Sequence, residues 1–174
     1  ATANQLANVV TQFSVADGDA VKVIEATTNH DVKATEYWLK ENLRENAEIV
    51  SASEFIHFAC TSEDINNLAH GLMLKSSLMD IMVPALDRII NTLSELAHQL
   101  ANIPMLARTH GQPATPTTMG KEIANVVFFF LRSRKQLVAV EILGKINGAV
   151  GNFNAHLAAY PQIRAALTDR QRKF

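Results

Sequence analysis

A chain of 174 residues with 48% hydrophobic and 19% charged content has enough apolar material for a core, which excludes disorder as the default. With 16 basic against 17 acidic residues and a sequence pI near 6.7, nothing draws it generally toward nucleic acid or an anionic membrane, so an anionic ligand must be held by a local site. A single cysteine, Cys60, excludes a disulfide framework and a thiolate metal cluster and points to a reducing compartment, the cytoplasm.

The opening segment carries Leu6, Val9, Val10 and Phe13 at helical spacing and predicts a short helix that stops at Asp17, Gly18 and Asp19, with Val21 to Ile24 extended or irregular. It begins with Ala1 rather than methionine, which points to a fragment or a processed product. Thr27, Thr28 and Asn29 supply capping residues ahead of a helix that runs to about Arg44, with Val32, Leu39 and Leu43 on one face and Thr28 and Asp31 at capping-box spacing. Thr61, Ser62, Glu63 and Asp64 form a second capping pattern. The helix end they open can hold a phosphate or carboxylate oxygen beside two hydroxyls, with Glu63 and Asp64 partly opposing the anion.

From Ile65 an apolar stripe runs through Leu68, Leu72, Met79 and Met82, then beyond Pro84 through Leu86, Ile89, Ile90, Leu93, Leu96, Ala97 and Leu100. Pro84 either kinks this long helix or begins a second one. A rigid loop between helices follows, guarded by Pro104, Pro113 and Pro116, with Gly111 for backbone freedom and with Arg108, Thr109, His110 and Gln112 offering polar side chains. From Thr117 to about Leu143 a further helix is apolar on nearly all sides over Val126 to Leu131, too short a run to span a bilayer. So much apolar helix surface predicts assembly with partner helices. Gly144, Gly148 and Gly151 then form a turn that also bears Lys145, Asn147, Asn152, Asn154 and His156, without the strand context of a nucleotide fingerprint. A basic tail follows Pro161, and no repeat, low-complexity tract or linker appears.

Six histidines carry no metal-binding spacing, and no serine elbow of a hydrolase occurs. His57, His70 and His98 read as structural or solvated. Read from the residues alone, the chain suits a non-catalytic helical assembly module, in which the polar turns merely cap helices.

Three stretches carry a sharper reading. ARTHGQPATPTTMGKEIAN resembles the histidine loop of the adenylosuccinate lyases, in the fumarase and aspartase superfamily, VIEATTNHDVKATEYWLKE resembles their Asn-His-Asp segment, and SEFIHFACTSEDINNLAHGLMLK their second substrate loop. GKINGAVGNFNAHLAAYP is similar to the same family. The resemblance implies an all-α, long-helix bundle, truncated, in which residues 1–60 belong to an N-terminal helical domain and 61–174 begin the central bundle. It implies elimination of fumarate from adenylosuccinate and from the related succinylaminoimidazole carboxamide ribotide, with no metal and no cofactor, in a cytoplasmic homotetramer that binds neither nucleic acid nor membrane.

By the same match His110 is the proton donor, and Asn29, His30, Asp31, Thr61 and Ser62 bind and orient the substrate. Imidazole suits a proton donor because it holds and releases a proton near neutral pH. Ala26 stands where the family usually has a basic residue, and the family's serine loop, reading roughly SSxMPxKxN and carrying the catalytic base, does not occur in these residues. The isolated chain is therefore expected to be inactive. Argininosuccinate lyase, another fumarate-releasing enzyme, shares the scaffold, but TTNHDVKA and FACTSEDINN point to the purine branch.

Overall fold

The computed structural model describes residues 2–163, and the basic tail lies outside them from residue 164 onward. Two compact units divide the chain: one is built from the residues up to Leu68 and those from Gly144 on, the other is Ala69–Leu143.

In the first unit α1 covers Thr2–Thr11 and α2 Val15–Thr28. The expected stop at Asp17 and the extended stretch at Val21 to Ile24 are both replaced by helix. Ser14 is the reason: its Oγ accepts from the Asp17 N–H at 3.4 Å while its own N–H donates to Asp17 Oδ2 at 2.8 Å. Asp17 thus closes a capping box and starts a helix instead of ending one. Helix α3, Asp31–Asn42, buries Val32, Ala34, Glu36 and Trp38, and Phe13 meets the Trp38 ring edge-on at 5.4 Å. A short α4, Ala47–Ser51, is capped by Asn46, and a 3-10 turn over Ser53–His57 leads toward α5, Ser62–Ser76. Past the glycine turn, α8 covers Asn154–Ala159.

Glu36 is the charged centre of this unit, 4% exposed and bonded to Lys33, Lys40 and His57 at 2.7, 2.9 and 2.8 Å. Burial pushes its carboxyl up, but the three donors outweigh that and bring it down to about 2. His57 has its structural role here.

In the second unit the helical path from α5 continues through a π-helical turn, Ser77–Met82, into α6, Val83–Gln99. Pro84 has no N–H to give to the preceding turn. The chain adjusts by widening that turn, so that the Val83 N–H reaches back to Leu78 O. Pro84 then sits in the first turn of α6.

After α6 the expected loop is a β-hairpin, β1 Pro104–Thr109 paired antiparallel with β2 Gln112–Thr118. Prolines forbid helix here, yet a two-stranded ribbon has only edges and tolerates them, while Thr109, Thr115, Thr117 and Thr118 favour extended backbone. The register slips between Leu106 and Arg108, where β2 accommodates one extra residue.

Helix α7, Met119–Val138, then folds back along α6. Buried Val83, Ile90 and Ala97 on α6 recur every seventh residue, as do Gly120 and Val127 on α7, which makes a coiled-coil-like seam. Gly120 donates its N–H to Leu100 O at 3.0 Å, and Arg134 clamps the other end through both carboxylate oxygens of Asp87. Among the described residues no helix is long and apolar enough to cross a membrane.

Candidate active site

Helices α2 and α3 meet at a corner only two residues long. Asn29 makes the turn with φ 52, left-handed backbone that asparagine accepts more readily than most side chains, and donates its N–H to Glu25 O at 2.8 Å. The expected cap by Thr28 is not formed. Thr28 Oγ1 donates to His30 O at 3.2 Å, and His30 itself caps α3, its Nδ1 accepting from the Lys33 N–H at 3.2 Å.

An imidazole whose Nδ1 accepts carries its proton on Nε2. That nitrogen faces Ser62 Oγ at 3.0 Å, so the hydroxyl accepts from His30 and its own hydrogen is left for another acceptor. Asp31 is fixed on the same corner: Oδ1 accepts from the Val32 N–H at 2.7 Å and Oδ2 from Asn66 Nδ2 at 3.0 Å. Those two bonds, the backbone one first, hold its carboxyl below the usual range. The Asn-His-Asp corner and the Thr61–Ser62 start of α5 therefore form one polar surface within one unit.

His110 lies in the other unit, at the tip of the hairpin. With Gly111 it makes the two-residue connection between Thr109 and Gln112, at φ 49 and 75, the positive pair that a type I′ turn requires. Its imidazole is exposed.

The family model described as Lyase matches residues 1–171. The chain belongs to the lyase family. It is similar to the adenylosuccinate lyase of Haemophilus influenzae, 57% identical over 158 residues, and to that of Escherichia coli strain K12, 58% identical over 155 residues. The first match covers 91% of this chain and 35% of the relative, the second 89% and 34%. The chain thus spans about a third of the length of the curated relatives it matches.

Among solved structures it resembles the 3-carboxy-cis,cis-muconate lactonizing enzyme from Pseudomonas putida, at TM-score 0.66 and 25% identity over 88% of this chain and 35% of that one. The beta-carboxy-cis,cis-muconate cycloisomerase from Acinetobacter calcoaceticus aligns at TM-score 0.70 and 20% identity, over 94% and 36%. The fold is the helical bundle of the fumarase and aspartase superfamily.

Two residues stand behind the Thr61–Ser62 loop in roles that sequence reasoning did not assign to them, Asp64, read there only as a capping residue, and Asn67. Asp64 is fully buried rather than set against an incoming anion, and its oxygens accept from the Thr61, Asn147 and Gly148 N–H groups and from Lys145 Nζ. Burial alone would push its carboxyl up, but Lys145 and the three backbone donors outweigh it and hold it below the usual range. Asn67 pairs with the Lys145 backbone in both directions, accepting at 2.8 Å and donating at 3.0 Å. The capping spacing marked Asp64 as a helix-start residue; its long-range partners, more than 80 positions away, left no signal in the sequence.

Cys60 is half-buried, and burial followed by the Asp64 charge pushes its thiol up, away from a nucleophilic thiolate. His156 packs edge-on against Phe153 and Phe58 at 5.4 and 5.8 Å. Among the described residues no group of three or more His, Cys, Asp or Glu side chains is placed to hold a metal ion.

Proposed function

We propose that this chain supplies the proton donor and the substrate-orienting segments of an adenylosuccinate lyase. The observation that carries the reading is 57% identity over 158 residues to the Haemophilus influenzae adenylosuccinate lyase. A base removes a proton from the succinyl carbon, the electrons settle on the adjacent carboxylate as an enolate-like carbanion, and the C–N bond breaks as the departing nitrogen takes a proton. His110 gives that proton. Asn29, His30, Asp31, Thr61 and Ser62 orient the substrate, with the Ser62 hydroxyl, already accepting from His30, donating to an anionic oxygen. The base is the serine of the signature loop, which these residues do not contain.

The reading puts the protein in purine biosynthesis, acting in the cytoplasm on adenylosuccinate and the related carboxamide ribotide. It divides the chain at residue 60 between an N-terminal domain and the bundle. It also makes the enzyme a homo-oligomer built through long helices, which Phe128, Phe129 and Leu131 of α7 support at 60%, 56% and 48% exposure. Phe128→Glu is expected to lower the sedimenting mass, and an unchanged mass would refute assembly through this face.

Fumarate release decides the activity. The chain alone is expected to be silent with adenylosuccinate, and active once the remaining C-terminal part of the Escherichia coli relative is added, unless His110 is replaced by Gln. Silence in every mixture would overturn the lyase reading.

A further inference from the structure

A buried carboxylate is costly to place unless hydrogen bonds and an ion pair offset its lost hydration, so its donors are held in fixed positions around it. In the first unit the four donors to Asp64 come from two segments, the Thr61 N–H at the start of α5 and Lys145, Asn147 and Gly148 in the glycine turn. Lys145 Nζ also donates to Gly148 O at 2.8 Å, so the ammonium closes the turn on itself while pairing with Asp64. Gly148 has φ 83, a backbone state in which a side chain would be strained, and this geometry lets its N–H face the carboxylate.

The clasp borders an open space. A cleft of 480 Å³ is lined by Thr61 and Cys60 on one side and by Asn147, Gly148, Asn152 and Asn154 on the other. Asn147 Oδ1 is shielded from solvent and has no hydrogen-bond partner among the described residues. Asp64 touches both walls from behind and is itself closed to solvent.

We propose that Asp64 is a positioning residue of the substrate site. Through Lys145 and the backbone of the glycine turn it fixes the distance between the Thr61–Ser62 loop and the opposite wall of the cleft, and so sets how tightly the substrate's polar groups are held. This rests on the lyase reading.

The test uses a full-length lyase that carries these 174 residues in place of the matching segment of the Escherichia coli relative. Asp64→Asn keeps the shape but turns an acceptor into a donor against Lys145 and the amides, and KM for adenylosuccinate is expected to rise about tenfold or more with kcat changed far less. A merely structural role would reduce the amount of active enzyme, lowering kcat at constant KM, and that result overturns the proposal. Lys145→Gln, which leaves the backbone donors in place, is expected to raise KM by a smaller factor. If Asp64→Asn does not fold, an unchanged KM in Lys145→Gln overturns the proposal and a raised one supports it.

Amide hydrogen exchange on the 174-residue chain separates this inference from the lyase reading. In Lys145→Gln and Asp64→Asn the Thr61 and Gly148 amides are expected to exchange about tenfold faster, while the Gly120 amide in the other unit keeps its rate. A parent enzyme that releases no fumarate overturns the lyase reading, and the substrate role of Asp64 falls with it. Unchanged exchange at Thr61 and Gly148 overturns the clasp even where the parent is active.

Discussion

His30 and Ser62 stand 32 positions apart in the chain, and their side chains meet at 3.0 Å. One imidazole does two jobs there, capping α3 with Nδ1 and gripping the start of α5 with Nε2. His30→Ala is therefore expected to lower stability by about 1 kcal/mol through the lost cap, whereas Ser62→Ala changes it by less than about 0.5 kcal/mol. Urea unfolding checks both, and equal losses would show that the cap is not what His30 contributes.

Acid should unfold the first unit through Glu36. Its carboxyl titrates at about 2 in the folded chain against an ordinary 4.5, so the unfolded chain takes up the proton first. The stabilisation is complete above the ordinary value and is lost as pH falls toward 2, a change on the order of 3 kcal/mol. Glu36→Gln should be less stable than the parent at pH 7 and should lose much of the acid dependence below pH 5, roughly where an ordinary carboxylate begins to protonate. Denaturant midpoints across that range measure it, and parallel curves for the two proteins would discount Glu36.

The seam between α6 and α7 depends on Gly120. A Cβ there would lie 2.6 Å from Ala101 Cα and N, which are backbone atoms that cannot rotate away. Gly120→Ala is expected to cost about 1–3 kcal/mol as overpacking. Thermal unfolding should fall by several degrees, about 2–4 °C per kcal/mol for a chain of this size. An unchanged midpoint would mean the two helices separate freely at that end.

At the hairpin tip, shape and chemistry can be separated. Asparagine accepts the left-handed backbone of His110, so His110→Asn should keep the hairpin and its stability while fumarate release in the complemented lyase falls by about 10²–10⁴. Gly111→Val, placed at φ 75, should instead loosen the hairpin by about 1 kcal/mol or more. Hydrogen exchange at the strand amides distinguishes the two. Full activity in His110→Asn would remove His110 from the chemistry.

The sequence by itself determined four of the helices and the family. Apolar stripes at helical spacing placed α3, α5, α6 and α7 to within a few residues, because that periodicity is written along the chain. Through their likeness to one family it also singled out the Asn-His-Asp and Thr-Ser segments as expected substrate contacts.

What it misread were local decisions between close alternatives. Asp17, Gly18 and Asp19 look like a stop until both bonds of the capping box between Ser14 and Asp17 are seen. Proline and threonine between two helices read as a loop, and pairing across a bulge turned them into strands. Only the tertiary structure put His30 against Ser62, and Asp64 against Lys145. Those contacts join residues 32 and 81 positions apart, and no local propensity encodes a partner that packing alone brings within hydrogen-bond reach.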